Sequence, residues 1–112
     1  MNTFDEIPFG TILRQFRRDN HHSQVHVSRL TGAQQPTVSR WEQGILFPEP
    51  FTHRRLARYL DVPVADLRRM VERSALHHER ARIVARLTEI EHLLTAYTSE
   101  VADPVQSDIL TP

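Results

Sequence analysis

Residues 33–44 read AQQPTVSRWEQG, and their interpretation decides the fold. A proline early in the run costs a helix nothing, because the first-turn N–H groups have no intrahelical acceptor. A glycine at the close supplies the left-handed stop that commonly ends a helix. The spacing therefore predicts a short helix over 35–43. Its outer face would carry Gln35, Pro36, Ser39, Arg40 and Gln43, which are polar and short of bulk, while Trp41, the only tryptophan of the chain, would point into the body as an anchor.

Working outward, Ser23 can cap a helix running to about Thr31, with Gly32 as its stop. Two short helices meeting at Gly32-Ala33 satisfy the demands of a helix-turn-helix: a residue tolerant of left-handed backbone at the turn, and small or branched side chains at the crossing. Val27, Ser28 and Val38 have suitable spacing for that crossing. Further upstream, Phe9, Ile12, Leu13 and Phe16 mark one face of a helix opened by Pro8 and ending near Asn20. Downstream, "FPEP" at 47–50 is a rigid link, and Pro50 opens a fourth helix through Leu60. Pro63 opens a fifth, with Val64, Leu67, Met70 and Val71 on its buried side. No stretch alternates with period two for long enough to make a strand, so the fold class is all-α.

From Leu76 the pattern changes. Leu76, Ile83, Ile90 and Tyr97 alternate with Arg80, Leu87, Leu94 and Val101 at spacings of four and three, the signature of a helix–helix seam. Three segments are expected: a helix-turn-helix domain over 1–73, an oligomerisation helix over 74–101 and a flexible acidic tail over 102–112. Leu76, Ile83, Leu87, Ile90, Leu94 and Tyr97 form the expected oligomer interface, with a dimer or a tetramer both compatible. The alternative is a helix folded back on its own domain. Arg80, Arg82 and Arg86 come early in this segment and Glu89, Glu91 and Glu100 late, a distribution that favours an antiparallel pair.

Composition bounds the function. The 112 residues carry no net formal charge, but the average hides a pattern: eight arginines against three acids from Pro8 to Leu60, and five acids with no lysine or arginine from Thr88 onward. A basic body with an acidic end fits a polyanion-facing surface. All 14 basic residues are arginine, which a GC-rich coding sequence explains as readily as bidentate phosphate contact. With 39% apolar residues and no apolar run near the roughly 18–20 residues a span needs, no membrane role is expected. The first residues do not resemble a secretory signal, and the absence of cysteine excludes disulfides, thiolate metal sites and cysteine nucleophiles. A cytoplasmic location follows as an expectation. His21, His22 and His26 include an i, i+4 pair able to face one metal ion, yet no third ligand class stands nearby. No metal and no cofactor are expected. No arrangement of nucleophile and base, glycine-rich phosphate loop or paired carboxylates points to an enzyme.

Three blocks, "LRQFRRDNHHSQ" at 13–24, "QPTVSRWEQG" at 35–44 and "RLARYLDVPVADL" at 55–67, stand in one register. Over about residues 9–70 the chain resembles the Cro/repressor-type (xenobiotic-response-element-like) helix-turn-helix regulators of bacteria and phages. The resemblance implies a repressor-like five-helix domain acting on double-stranded DNA as a homodimer at an inverted repeat. It places Gln35, Pro36, Ser39 and Arg40 against base edges and Gln24 and Thr37 against phosphates, with Gln43 added to the phosphate set. It matches Arg17 and Glu42 to a buried ion pair tying the first helix to the third. His21 and His22 stand where the family usually has glycine and an apolar residue, Thr31 where it has leucine, and Gln34 where it has a Ser or Thr cap. "GILFP" at 44–48 replaces a loop that often carries basic residues; three consecutive exposed apolar side chains there would mark a subunit contact. The Arg54, Arg55 and Arg58 cluster is as consistent with a solvated helix face as with phosphate contact. The other function class is an adaptor or antitoxin-like protein, whose C-terminal helix and tail bind a protein partner.

Overall fold

A computed structural model describes residues 7–101, the last two by backbone alone. Its five helices are α1 (Phe9–Asp19), α2 (Gln24–Thr31), α3 (Gln35–Gln43), α4 (Pro50–Leu60) and α5 (Val64–Val101). No strand occurs among the described residues. The chain divides into two compact units between His78 and Glu79, so α5 contributes to both. The expected acidic tail, 102–112, lies outside the described residues.

In the first unit α1 packs on α3, and α2 packs on both α3 and α4. Phe9, Leu13, Val27, Val38, Trp41, Leu56, Leu60, Leu67 and Val71 form its core. Each helix has a local cause. At the head of α1 no side chain caps the first turn, but the Phe9 N–H donates to Ser74 Oγ of α5 at 2.8 Å, closing the unit on itself. Ser23 caps α2 by accepting from the His26 N–H at 3.0 Å, and Gly32 ends that helix at φ 79°. Gln34 caps α3 without a side-chain hydrogen bond, Pro36 sits in its first turn, and Gly44 stops it at φ 75°.

Gly10 sets how closely α1 can approach α3. A Cβ there would stand 2.7 Å from the carbonyl oxygen of Glu42 and closer still to that of Trp41. The departures from the family pattern also find physical explanations. His21 adopts φ 56°, a left-handed conformation that a glycine would take without strain. Thr31 is buried, and its hydroxyl is satisfied by donating to the Val27 carbonyl at 2.8 Å.

Three expectations are corrected. The fifth helix and the C-terminal seam helix are one continuous element, since nothing between Val64 and Val101 is a glycine or proline that would break it. Val64 is exposed rather than buried, because the first turn of α5 precedes its contact with the core at Leu67. Phe47 packs against the core and meets the His78 ring edge-on at 5.6 Å, so only Ile45 and Leu46 of the loop's apolar triplet are exposed.

In the second unit, the seam residues Ile83, Leu87, Leu94 and Tyr97 are all more than half exposed, with Leu76 on the same helix equally open and Ile90 at 36%. Among the described residues, no helix is long and apolar enough to cross a membrane.

Candidate nucleic-acid interface

The surface is built around one carboxylate. Glu42, on the inner side of α3, has a side chain only 1% exposed. Arg17 of α1 grips it with two parallel N–H donors, Nε to Oε2 at 2.6 Å and Nη2 to Oε1 at 2.9 Å. This fork-to-fork geometry is the strongest form of the interaction. The third donor of the guanidinium, Nη1, reaches the His22 carbonyl at 2.9 Å, so the same side chain also fixes the α1–α2 turn. Arg14 adds a second positive charge, its Nε 3.6 Å from Oε1 and its Nη2 donating to the Glu42 carbonyl at 3.3 Å.

The electrostatics follow from this packing. Burial pushes the Glu42 carboxyl up, but the hydrogen bonds from Arg17 and Gln24 and the charges of Arg17 and Arg14 outweigh it and hold it below its ordinary value. The hydrogen bond to Glu42 raises Arg17 in turn. Glu42 is therefore ionised and can only accept.

That ionisation orients the next two side chains. Gln24, first residue of α2, must turn its NH₂ toward Glu42, and its Nε2 donates to Oε1 at 3.1 Å. Its Oε1 is then left to accept, and Gln35 Nε2 donates to it at 2.7 Å. A relay of fixed polarity thus runs from Arg17 through Glu42 and Gln24 to Gln35, across α1, α3 and α2. At its end Gln35 is exposed, with one amide N–H and its carbonyl oxygen still open. Further along α3, Gln43 Nε2 donates to Ser39 Oγ at 2.9 Å, which leaves the Ser39 hydroxyl hydrogen to donate elsewhere.

The structure brings Gln35, Pro36 and Arg40 together as exposed residues of α3, with Ser39 and Thr37 half-buried among them and Gln43 exposed at the C-terminal end. Gln24 joins them through Gln35. Trp41 and Val38 point the other way and are buried. At the turn, Ser28 Oγ donates to the Ala33 carbonyl and Gly32 N–H to the Ser28 carbonyl at 2.9 Å, fixing the α2–α3 angle. Arg54, Arg55 and Arg58 are exposed on α4, and the Arg55 guanidinium lies over Gly32. Ile45 and Leu46 are exposed just past α3, and Leu46 lines an open pocket with Phe51 and Trp41.

Two features were not legible in the sequence. Arg14 joins the Glu42 cluster, a role that only the approach of α1 to α3 reveals. A small aromatic cluster also stands at the α1–α2–α4 corner: the His22 and His26 rings lie 4.1 Å apart, and His22 Nδ1 is 2.8 Å from the Tyr59 hydroxyl. Desolvation, with His26 and His21 nearby, lowers the His22 pKa. Among the described residues no three His, Asp or Glu side chains converge to hold a metal ion, and the His22–His26 pair faces Tyr59 instead.

Comparison with curated proteins finds no match. Comparison with family models finds one, a helix-turn-helix domain matched over residues 8–70. That span contains the α2–α3 pair, the Glu42 cluster and the exposed face of α3. The chain belongs to the helix-turn-helix domain family.

Proposed function

We propose that the protein is a cytoplasmic, sequence-specific DNA-binding transcriptional regulator that acts as a homodimer on an inverted-repeat operator. The observation that carries this is the anchored Gln24–Gln35 pair. Bidentate pairing with adenine needs one amide N–H for N7 and one carbonyl oxygen for the N6 amino group. Those are the two groups of Gln35 that the relay leaves open, and their polarity is fixed in advance by the ionised Glu42. Preorganisation of this kind lowers the side-chain ordering cost on binding. Arg40, one helical turn beyond Pro36, is suited to guanine; Ser39 donates through its hydroxyl. Each good bidentate pair discriminates by about 1–3 kcal/mol. Gln24, Thr37 and Gln43 serve as phosphate contacts at the edges of this face, and the arginines of the first unit supply long-range attraction. A single domain reads few base pairs, so two copies on a two-fold site supply specificity, joined through the exposed stripe of α5. The role is one of binding, with no reaction assigned.

Fluorescence anisotropy with a labelled 30-base-pair duplex tests the DNA surface. Affinity is expected to fall linearly in log–log form as salt rises from 50 to 200 mM; no binding at 50 mM salt refutes the reading.

A second reading, an adaptor or antitoxin-like protein, draws on the same stripe of α5, which a partner protein could cover. A stable partner that co-purifies with the full chain and is lost on truncation after His78 supports it over the homodimer.

A further inference from the structure

We propose that α5 pairs with a second copy of itself in parallel, a deepening that rests on the homodimer reading above. The gross order of charges, basic then acidic, favours the opposite arrangement, but neighbouring positions rather than segment averages decide the orientation of paired helices. The continuous helix of α5 fixes those positions. Its exposed stripe places Ile83 and Ile90 at one seam position and Leu87 and Leu94 at the other. Arg86 and Glu91 then flank the seam on its two sides, immediately before Leu87 and immediately after Ile90.

In a parallel pair, a residue flanking the first side meets the residue five positions later on the second helix. Arg86 of one copy therefore meets Glu91 of the other, and symmetry makes the contact twice. The seam's one charged residue, Arg80, faces Arg80 of the second copy, and Glu79 of each copy lies beside the other's Arg80 to offset that like-charge contact. In the antiparallel register that preserves the apolar layers, Ile83 lies against Leu94 and Leu87 against Ile90. The flanking neighbours are then Arg86 with Leu93 and Val84 with Glu91, each setting a charge beside an apolar side chain, whereas the parallel pair does so only at Val84, which meets Glu79, and sets Leu93 beside Thr98. Both Val84 and Leu93 are more than half exposed and gain nothing from those antiparallel partners. Arg86 already holds Glu89 of its own helix at 3.1 Å, but a guanidinium has five N–H donors and can serve both carboxylates. Exposed pairs of this kind add little strength, yet they discriminate between orientations that bury the same apolar stripe.

The test uses the chain's lack of cysteine. Ile83→Cys and Leu94→Cys are made separately in the full-length protein and oxidised, with mass measured by light scattering. In parallel pairing, each position meets its own copy, so each variant alone forms a disulfide-linked dimer. In the antiparallel register, positions 83 and 94 meet each other, and two copies of either one lie about 16 Å apart, beyond the roughly 7 Å that a disulfide can bridge. Cross-linking of each variant with itself is the expected result. Cross-linking only in a mixture of the two overturns the parallel arrangement while leaving the homodimer. A dimeric mass without any cross-link places the interface elsewhere and overturns it too. A monomeric mass for the unmodified chain at micromolar concentration overturns the homodimer reading itself.

Discussion

Gly10→Ala is the substitution whose effect the structure specifies most closely. In an isolated helix, alanine is the better residue by about 1 kcal/mol, so helix propensity alone predicts a gain. Against this stands the approach of α1 to α3. The new Cβ would lie 2.7 Å from the Glu42 carbonyl oxygen, inside the 3.0 Å floor that real Cβ atoms respect, and nearer still to the Trp41 carbonyl. Both obstacles are backbone atoms of one helix and cannot rotate away. Relief requires α1 or α3 to move as a body, and that movement stretches the Arg17–Glu42 contacts of 2.6 and 2.9 Å. Overpacking a tight contact costs about 1–3 kcal/mol and sometimes more. With the ion pair disturbed as well, we expect the clash to exceed the propensity gain by about 2 kcal/mol. At about 4–8 °C per kcal/mol for a domain of this size, the melting temperature falls by roughly 8–16 °C. Trp41 is the only tryptophan and is buried in the affected contact, so its fluorescence during thermal and urea unfolding reports on the right unit. An alanine variant as stable as the original, or more stable, refutes the claim that glycine is held here by helix–helix contact.

Other outcomes follow from the same geometry. Glu42→Ala leaves Arg17 unpaired in a partly buried site and is expected to cost about 3–5 kcal/mol, read as a shifted urea midpoint; a shift under 1 kcal/mol counts against the buried pair. Its pH counterpart follows from the lowered Glu42 value: the stabilisation is present above the ordinary carboxylate range and is lost as pH falls through the lowered one, so Glu42→Gln flattens the acid limb of the stability curve. The His22 value is lowered from 6.5, so neutral His22 favours the folded state; stability is full above that pH and declines below it. His22→Gln should weaken that decline, and identical pH profiles for the two proteins contradict it. His21→Gly removes a left-handed non-glycine residue and is expected to raise stability by up to about 1 kcal/mol, whereas a loss of stability shows that the imidazole makes a compensating contact. Arg40→Ala is expected to lose discrimination at one base pair while the fold stays intact, and a full set of single-base operator variants bound with unchanged ratios refutes its role.

What could be read in the sequence was what local chemistry determines. Ser23, Gly32, Pro36, Gly44 and Pro50 act on their own backbone neighbours, so the bounds of α2 and α3 and the start of α4 follow from them directly. The inward anchor Trp41 and the outward set Gln35, Pro36 and Arg40 follow from a 3.6-residue period. What could not be read depends on parts of the chain far apart. Gly10 looks like a flaw in an amphipathic helix until Trp41 and Glu42 arrive beside it. Phe47 belongs to an apolar run that looks exposed, and its burial is decided by the core and by His78, 31 positions on. The change of pattern at Leu76 suggests a separate helix, but Val64–Val101 is one. A new apolar face is a change of partner rather than a break, and the backbone continues because no residue stops it. The Gln24–Gln35 contact illustrates both cases. The resemblance gave each residue a separate role, while the fixed polarity of the pair emerges only when Glu42 is seen beneath them.

The central claim is that the exposed face of α3 reads DNA sequence. Selection of the purified full-length protein against a pool of random-sequence duplexes, at near-physiological salt, tests it most directly. The account predicts enrichment of an inverted repeat whose half-sites lose their base preferences one position at a time in Gln35→Ala and Arg40→Ala. Retrieval of no common sequence by a folded protein, or of the same sequence by both variants with unchanged preferences, would contradict it.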